Sequence, residues 1–246
     1  MDRVIYIAMS GANQTLLAQQ MNSNNLANAN TSGFRTDLHS FRAMPVYGPG
    51  YPTRAYAMAE RPSVDLTLGT VRNTDRDLDI AIDGNGWMAI QSKDGTEAYT
   101  RAGNLSIQPG GILVTGSGSP VMGNGGPIAL PPADNIVIGT DGTISITPVG
   151  QPSTSLVVVD RIKLVRPEQG SIIKGLDGMM RAKNGEEFDA NASVKVVSGS
   201  LETSNVNIVN TLVNMISLAR TYELQIKMMK TSEETDKASD GLLGLS

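Results

Sequence analysis

The stretch NSNNLANANTSGFR, residues 22–35, places five asparagines within nine residues. Asparagine is a mediocre residue inside a helix, because its amide competes for backbone hydrogen bonds. One such residue suffices to end a helix, so the remaining amides need another use. The segment before it, about residues 3–29, has no proline and is rich in Ala, Gln, Leu and Met. Val4, Ile7, Ala8, Gly11, Ala12, Leu16, Ala18 and Met21 recur at steps of three and four, a thin helical stripe built of small residues. Thr31, Ser32 and Gly33 are expected to stop this helix, with Gly33 in the left-handed conformation.

The other end of the chain reads alike. No proline or glycine occurs from Leu201 until Gly241, and Ser204 or Asn205 can cap a helix there. Val209, Leu212, Ile216, Ala219, Tyr222, Ile226 and Met229 follow at spacings of three or four, close to a heptad seam. Thirty-odd helical residues give a rod of roughly 50 Å, and one apolar stripe along such a rod requires a partner. Between the ends, residues 36–80 carry Pro45, Gly48, Pro49, Gly50, Pro52 and Pro62, and read as an extended linker with a strand pair near 64–72. From 81 to 200 the period switches towards two in short runs such as DIAID, WMAIQ, TISIT and SLVVVDRIKLV. Asp94-Gly95, Pro109-Gly110-Gly111 and Asp141-Gly142 between them are turn signals. The expected fold is therefore α+β, with a small antiparallel β domain inserted between two terminal helices that pack as a coiled-coil-like pair. Its predicted divisions are 1–35 (helix), 36–80 (linker), 81–200 (β domain) and 201–246 (helix).

Composition narrows the function. The chain has 246 residues, of which 40% are apolar but only 4% aromatic, so its core must be mostly aliphatic. A net charge of −4 argues against nucleic acid or anionic lipid as main partners. Absence of cysteine excludes disulfides and thiolate metal sites. The longest strongly apolar run, residues 156–159, is far short of the roughly 20 residues a spanning helix needs. The start, MDRVIYIAMSGANQ, is a poor secretory leader, so export would have to proceed without leader cleavage.

A search for chemistry finds no constellation. The single histidine, His39, lies in the linker, and no G-x-S-x-G elbow accompanies it. Asp75, Asp77 and Asp79 match the first ligand positions of a calcium loop, but Ile80 replaces its glycine and Gly86 its closing glutamate. These acids read instead as a solvated strand edge or turn. The clusters GNGW and GNGGP lack the order of phosphate-binding loops. No catalytic, cofactor-binding or metal-binding residue is assigned.

With these readings in place, the chain resembles the axial family of bacterial flagellar rod, hook and hook-associated proteins. The amino-terminal signature matches at Asn24, Asn25, Leu26, Ala27, Asn28, Thr31, Gly33 and Phe34. A second signature matches near the other end at Ser204, Asn205, Asn207, Met215, Ile216, Arg220, Tyr222 and Glu223. DLDIAIDGNGWMAIQ and GTEAYTRAGNLSI are similar to the family's β-domain core. Within the family, Trp87-Met88, the short length and the ending SEETDKASDGLLGLS are most similar to the proximal-rod subunit. A distal-rod or other axial subunit is the alternative.

The resemblance implies a structural subunit without enzymatic activity or cofactor. It implies helical self-assembly into the periplasmic rod of the basal body, with both terminal helices in the inner tube. Expected partners are further copies, proximal-rod subunits below, distal-rod subunits above, the type III export apparatus and the surrounding rings. A secreted cell-wall hydrolase would need a carboxylate pair that the sequence does not mark. A soluble coiled-coil adaptor would need a longer heptad.

Overall fold

The computed structural model describes residues 3–45, 55–152, 155–168, 170–175 and 177–243. Gly48, Pro49, Gly50 and Pro52 of the linker lie outside the described residues, as does the side chain of His39. The chain opens with α1 (Arg3–Ala27), followed by β1 (Asp37–Pro45), β2 (Ala55–Val64), β3 (Val71–Asn73) and β4 (Ile80–Asp83). Next come β5 (Trp87–Gln91), β6 (Glu97–Thr100), β7 (Leu105–Ile107), β8 (Leu113–Thr115), β9 (Ala133–Ile138) and β10 (Thr143–Pro148). They are followed by β11 (Val157–Arg161), β12 (Leu164–Val165), β13 (Ile172–Lys174), β14 (Met180–Ala182), β15 (Lys195–Ser198) and β16 (Ser200–Glu202), and the chain closes with α2 (Ile208–Leu243). The class is α+β. It divides into one unit of Met1–Ala29, Thr36–Asp65 and Val206–Ser246, and another of Asn30–Arg35 and Leu66–Asn205.

In the first unit, α1 and α2 pack antiparallel. Asn22 reaches the start of α2, while Gly11 faces Gln225 further along it. The buried face of α1 runs through Ala8, Gly11, Ala12, Thr15, Ala18, Asn22 and Asn25. Ala8, Gly11, Ala12 and Ala18 belong to the stripe expected from hydropathy, but Val4 and Leu16 of that stripe point outwards. Size, rather than polarity, selects the inner positions. A side chain on Gly11 would place its Cβ 2.9 Å from Gln225 Nε2, so the helices meet where α1 is narrow. Thr15 is tolerated there because its hydroxyl donates to the Gly11 carbonyl at 2.9 Å.

The facing side of α2 is Thr211, Met215, Leu218, Tyr222, Gln225 and Met229, buried or half-buried at alternating steps of four and three. Neither Ser204 nor Asn205 caps this helix. Asn207 does, its side-chain oxygen accepting from the Asn210 amide at 3.1 Å. The amino-terminal helix likewise ends earlier than Gly33. Asn28 and Ala29 bond back to Asn24, Asn25 and Leu26, and the helix is over at Ala27. The strand pair of the linker is β1 against β2, antiparallel, ahead of the 64–72 region where the sequence suggested one.

The second unit is antiparallel throughout. A five-stranded sheet has the order β12-β5-β6-β14-β13, and a three-stranded sheet the order β11-β10-β9. The pairs β15-β4, β16-β3 and β7-β8 complete it. Strand β5 is buried on both faces, which explains its unbroken apolar run. Met88 and Ile90 enter a core with Ile80, Leu105, Leu113, Val121, Ile144, Ile146 and Ile162. Trp87 and Ala89 enter a smaller cluster with Tyr99, Val165 and Met180. Asp75 and Asp77 are exposed as expected, but Asp79 is buried, held by the Thr74 hydroxyl at 2.8 Å. It braces a turn rather than dressing a solvated edge.

Candidate assembly interface

The asparagines that open the sequence have distinct partners within the first unit. Asn22 Nδ2 donates to the Thr211 carbonyl at 2.8 Å, joining the two helices. Asn25 bonds twice to the backbone of Asp37, donating to its carbonyl and accepting from its amide, both at 2.9 Å. A carboxamide carries one donor and one acceptor in the geometry of a peptide group, so Asn25 stands in for a paired strand at the foot of β1. Asn28 Nδ2 donates to the Asn24 carbonyl at 2.9 Å. Asn24 and Ala27 are exposed on α1, and Leu26 is half-buried.

The residues assigned to the carboxy-terminal seam split into two groups. Ala219, Tyr222 and Met229 are half-buried, the last two being on the α1-facing side. Val209, Leu212, Ile216 and Ile226 are exposed, with relative accessibilities of 69%, 44%, 56% and 42%. They belong to an outward apolar face with Val213, Leu224 and Met228, beside which Arg220 and Glu223 are also exposed. Shallow grooves run along this face, one between Val213, Ile216, Arg220 and Leu224, another between Leu224, Met228, Thr231 and Val4 of α1. On α1 the outward residues include Tyr6, Met9, Leu16 and Leu17.

Charge sharpens the picture. No Asp, Glu, Lys or Arg occurs in residues 4–34, nor in residues 203–219. Exposed positions there are apolar, or neutral amides and hydroxyls such as Asn13, Gln20, Asn210 and Asn214. Ordinary solvated helix faces are laced with charge, whereas surfaces destined for burial avoid it, because an unpaired ion is costly to desolvate.

Two of the charged residues bordering these stretches, Arg35 and Glu202, meet in the second unit, together with Arg101. Arg35 Nη2 donates to Glu202 Oε1 at 2.5 Å, and Arg101 Nε to Glu202 Oε2 at 2.6 Å. All three side chains are essentially inaccessible to water. The Gly69 amide also donates to Glu202 Oε1, at 2.8 Å. Arg101 is committed further, to the carbonyls of Ile82, Gly84 and Gly86. Burial draws the Arg101 guanidinium below its ordinary pKa, and the Glu202 carboxylate opposes that shift. Both guanidinium groups lie about 6 Å from the Trp87 ring centroid, at 6.0 and 5.9 Å.

Three signature residues lie against this knot. Gly33 has φ +68° and donates its amide to the Glu202 carbonyl at 2.9 Å. A Cβ there would stand 2.3 Å from the Arg101 carbonyl carbon, so only glycine fits. The Phe34 ring carries Lys174 Nζ at 3.9 Å from its centroid. Asn205 donates its side-chain amide to the Thr67 carbonyl at 3.1 Å. Thr31 is exposed and Ser204 half-buried. Hydropathy missed Arg35, Arg101 and Glu202. For Arg35 and Glu202 the available signal was a charge at the border of a charge-free stretch; Arg101 had no such signal.

Comparison with known proteins matches both chain ends and the β region. Residues 5–35 match the family described as flagella basal body rod protein. Residues 81–146 match the flagellar hook protein FlgE/F/G D1 domain, and residues 197–242 the flagellar basal body rod FlgEFG protein C-terminal family. The flagellar basal-body rod protein FlgF of Escherichia coli K12 is 41% identical over 252 aligned positions, covering 100% of both chains. The chain belongs to the flagellar basal-body rod protein family. FlgF of Salmonella typhimurium LT2 is likewise 41% identical over 100% of both chains, and FlgF of Caulobacter vibrioides 31% identical over 99% of both. Membership makes the chain a structural component of the flagellar basal body. No described helix is long and apolar enough to cross a membrane.

Proposed function

We propose that this rod-family chain self-assembles helically as part of the proximal rod, through the outward faces of α1 and α2. The observation that supports this reading is the exposed, apolar-rich surface of the helix pair, which carries no charge over residues 4–34 and 203–219. The pair itself continues as a coiled-coil-like inner-tube element. A helical tube uses head-to-tail contacts that need not close, so each copy presents two different faces to its neighbours. Val209, Leu212, Ile216 and Ile226 meet neighbouring copies, while Asn24 and Asn28 supply amide contacts that set register without burying charge. The subunit leaves the cytoplasm through the flagellar type III apparatus and takes its place in the periplasm. Proximal-rod subunits lie below it, distal-rod subunits above, and ring proteins around it. No catalytic step belongs to this reading.

Charges placed on the outward face of α1 test it. Leu16→Arg with Leu17→Arg leaves the inner face untouched, and circular dichroism of the free subunit is expected to remain unchanged. Basal bodies from cells carrying this variant are expected to lack a completed rod. Normal rods and motility would rule out α1 as an assembly face.

A further inference from the structure

We infer that Arg101, Glu202 and Arg35 form an ordered latch, in which the amino-terminal segment 30–35 docks on the β unit only after segment 200–205 has docked. The inference rests on how unevenly the hydrogen bonds are distributed, and it does not depend on the assembly reading. Arg101 is fixed first. Beyond Glu202, its bonds go to the carbonyls of Ile82, Gly84 and Gly86, all within the β4–β6 stretch of its own neighbourhood. It therefore stands ready inside the β unit before either chain end arrives.

Segment 200–205 has support of its own. Strand β16 pairs with β3 through Ser200, Leu201 and Glu202, and the Thr203 amide donates to the Thr70 carbonyl at 2.8 Å. The Glu202 carboxylate accepts from Arg101 and from the Gly69 amide. None of these bonds involves residues 30–35. The amino-terminal segment, in contrast, depends on what has docked already. Gly33 donates to the Glu202 carbonyl, Phe34 accepts from the Asn205 amide at 3.4 Å, and Arg35 Nη2 reaches Glu202. Lys174 anchors it as well, donating to the Arg35 carbonyl at 2.6 Å.

Arg35 is also the least satisfied member of the triad. Its Nε and Nη1 have no hydrogen-bond partner among the described residues, although the side chain is 2% accessible. Burying a guanidinium with two idle donors is unfavourable without the carboxylate in place. The carboxylate must therefore arrive before Arg35 can be buried, which sets the sequence Arg101, Glu202, Arg35. Segment 30–35 ends the amino-terminal signature, so its final position reports that the carboxy-terminal segment is already seated.

Amide hydrogen exchange on the full-length free subunit tests the order, read at Gly33, Gly69 and Thr203. In Arg35→Met, Gly33 is expected to exchange at least tenfold faster, with Gly69 and Thr203 within twofold of the unaltered chain. In Glu202→Gln, all three amides are expected to accelerate at least tenfold. Glu202→Asp, which keeps the charge but withdraws it by one methylene, is expected to behave as Glu202→Gln and replaces it should that variant fail to fold. Acceleration of Gly69 and Thr203 together with Gly33 in Arg35→Met would overturn the order, since docking would then be mutual. Unchanged Gly33 exchange in Arg35→Met, or in the Glu202 variants, would overturn it as well.

Discussion

Arg101→Met is expected to destabilise the β unit by about 3–5 kcal/mol, the range for breaking one side of a buried ion pair. Methionine fills much of the same volume, so the cost comes from polar groups left behind rather than from a cavity. The carbonyls of Ile82, Gly84 and Gly86 lose the donors that Arg101 supplies. Glu202 keeps Arg35 and Gly69 as partners but loses its better-anchored guanidinium. Removing the charge on both sides is a different matter. A triple replacement of Arg35, Arg101 and Glu202 by apolar residues deletes the desolvated ions together, and is expected to cost less than the three single changes combined. Urea unfolding followed by Trp87 emission measures both effects, because Trp87 is the sole tryptophan and lies beside the two guanidinium groups. A loss below about 1 kcal/mol for Arg101→Met would place the triad among ordinary surface pairs.

Leu212→Asp combined with Ile216→Asp is expected to have the larger biological effect and almost no effect on the free subunit. Both residues are exposed on α2, one turn apart, and neither faces α1. Surface changes of this kind fall within about 0.5 kcal/mol. In an assembled tube the same carboxylates would be desolvated without partners, at several kcal/mol for each ion, and the penalty repeats at every copy. Cells carrying the variant are therefore expected to build no continuous rod and to be non-motile, while unfolding of the β unit is unchanged. Motile cells would show that this face stays in water.

Much of the architecture was legible in the sequence. Two proline-free periodic segments at the ends and alternating runs between glycine turns correspond to α1, α2 and the antiparallel sheets. The orientation of the helices was less legible. Hydropathy placed Val4 and Leu16 on the inner face of α1 beside Ala8, Gly11 and Ala18, whereas close approach to α2 keeps the small residues, adds Thr15 and turns Val4 and Leu16 outwards. On α2 the same logic placed Met215, Leu218 and Tyr222 inwards and left Val209, Leu212 and Ile216 facing out. Apolar periodicity marks every surface that will be covered, and it does not distinguish a partner in the same chain from one in another copy. Helix ends were misplaced by a few residues because Asn207 and the turn at Asn28–Asn30 compete with equally good neighbouring caps. Arg35 and Glu202 lie 167 positions apart in the chain, so their pairing is a product of the tertiary fold and no local pattern contains it.

The absence of native cysteine permits the most direct test of helix-mediated assembly. Single cysteines at Val209 and Ile216 can be labelled with a maleimide in the free subunit and in purified basal bodies. Rapid labelling of the free chain and at least a hundredfold protection in the basal body is the expected result. Equal labelling of both forms would contradict burial of this face between subunits.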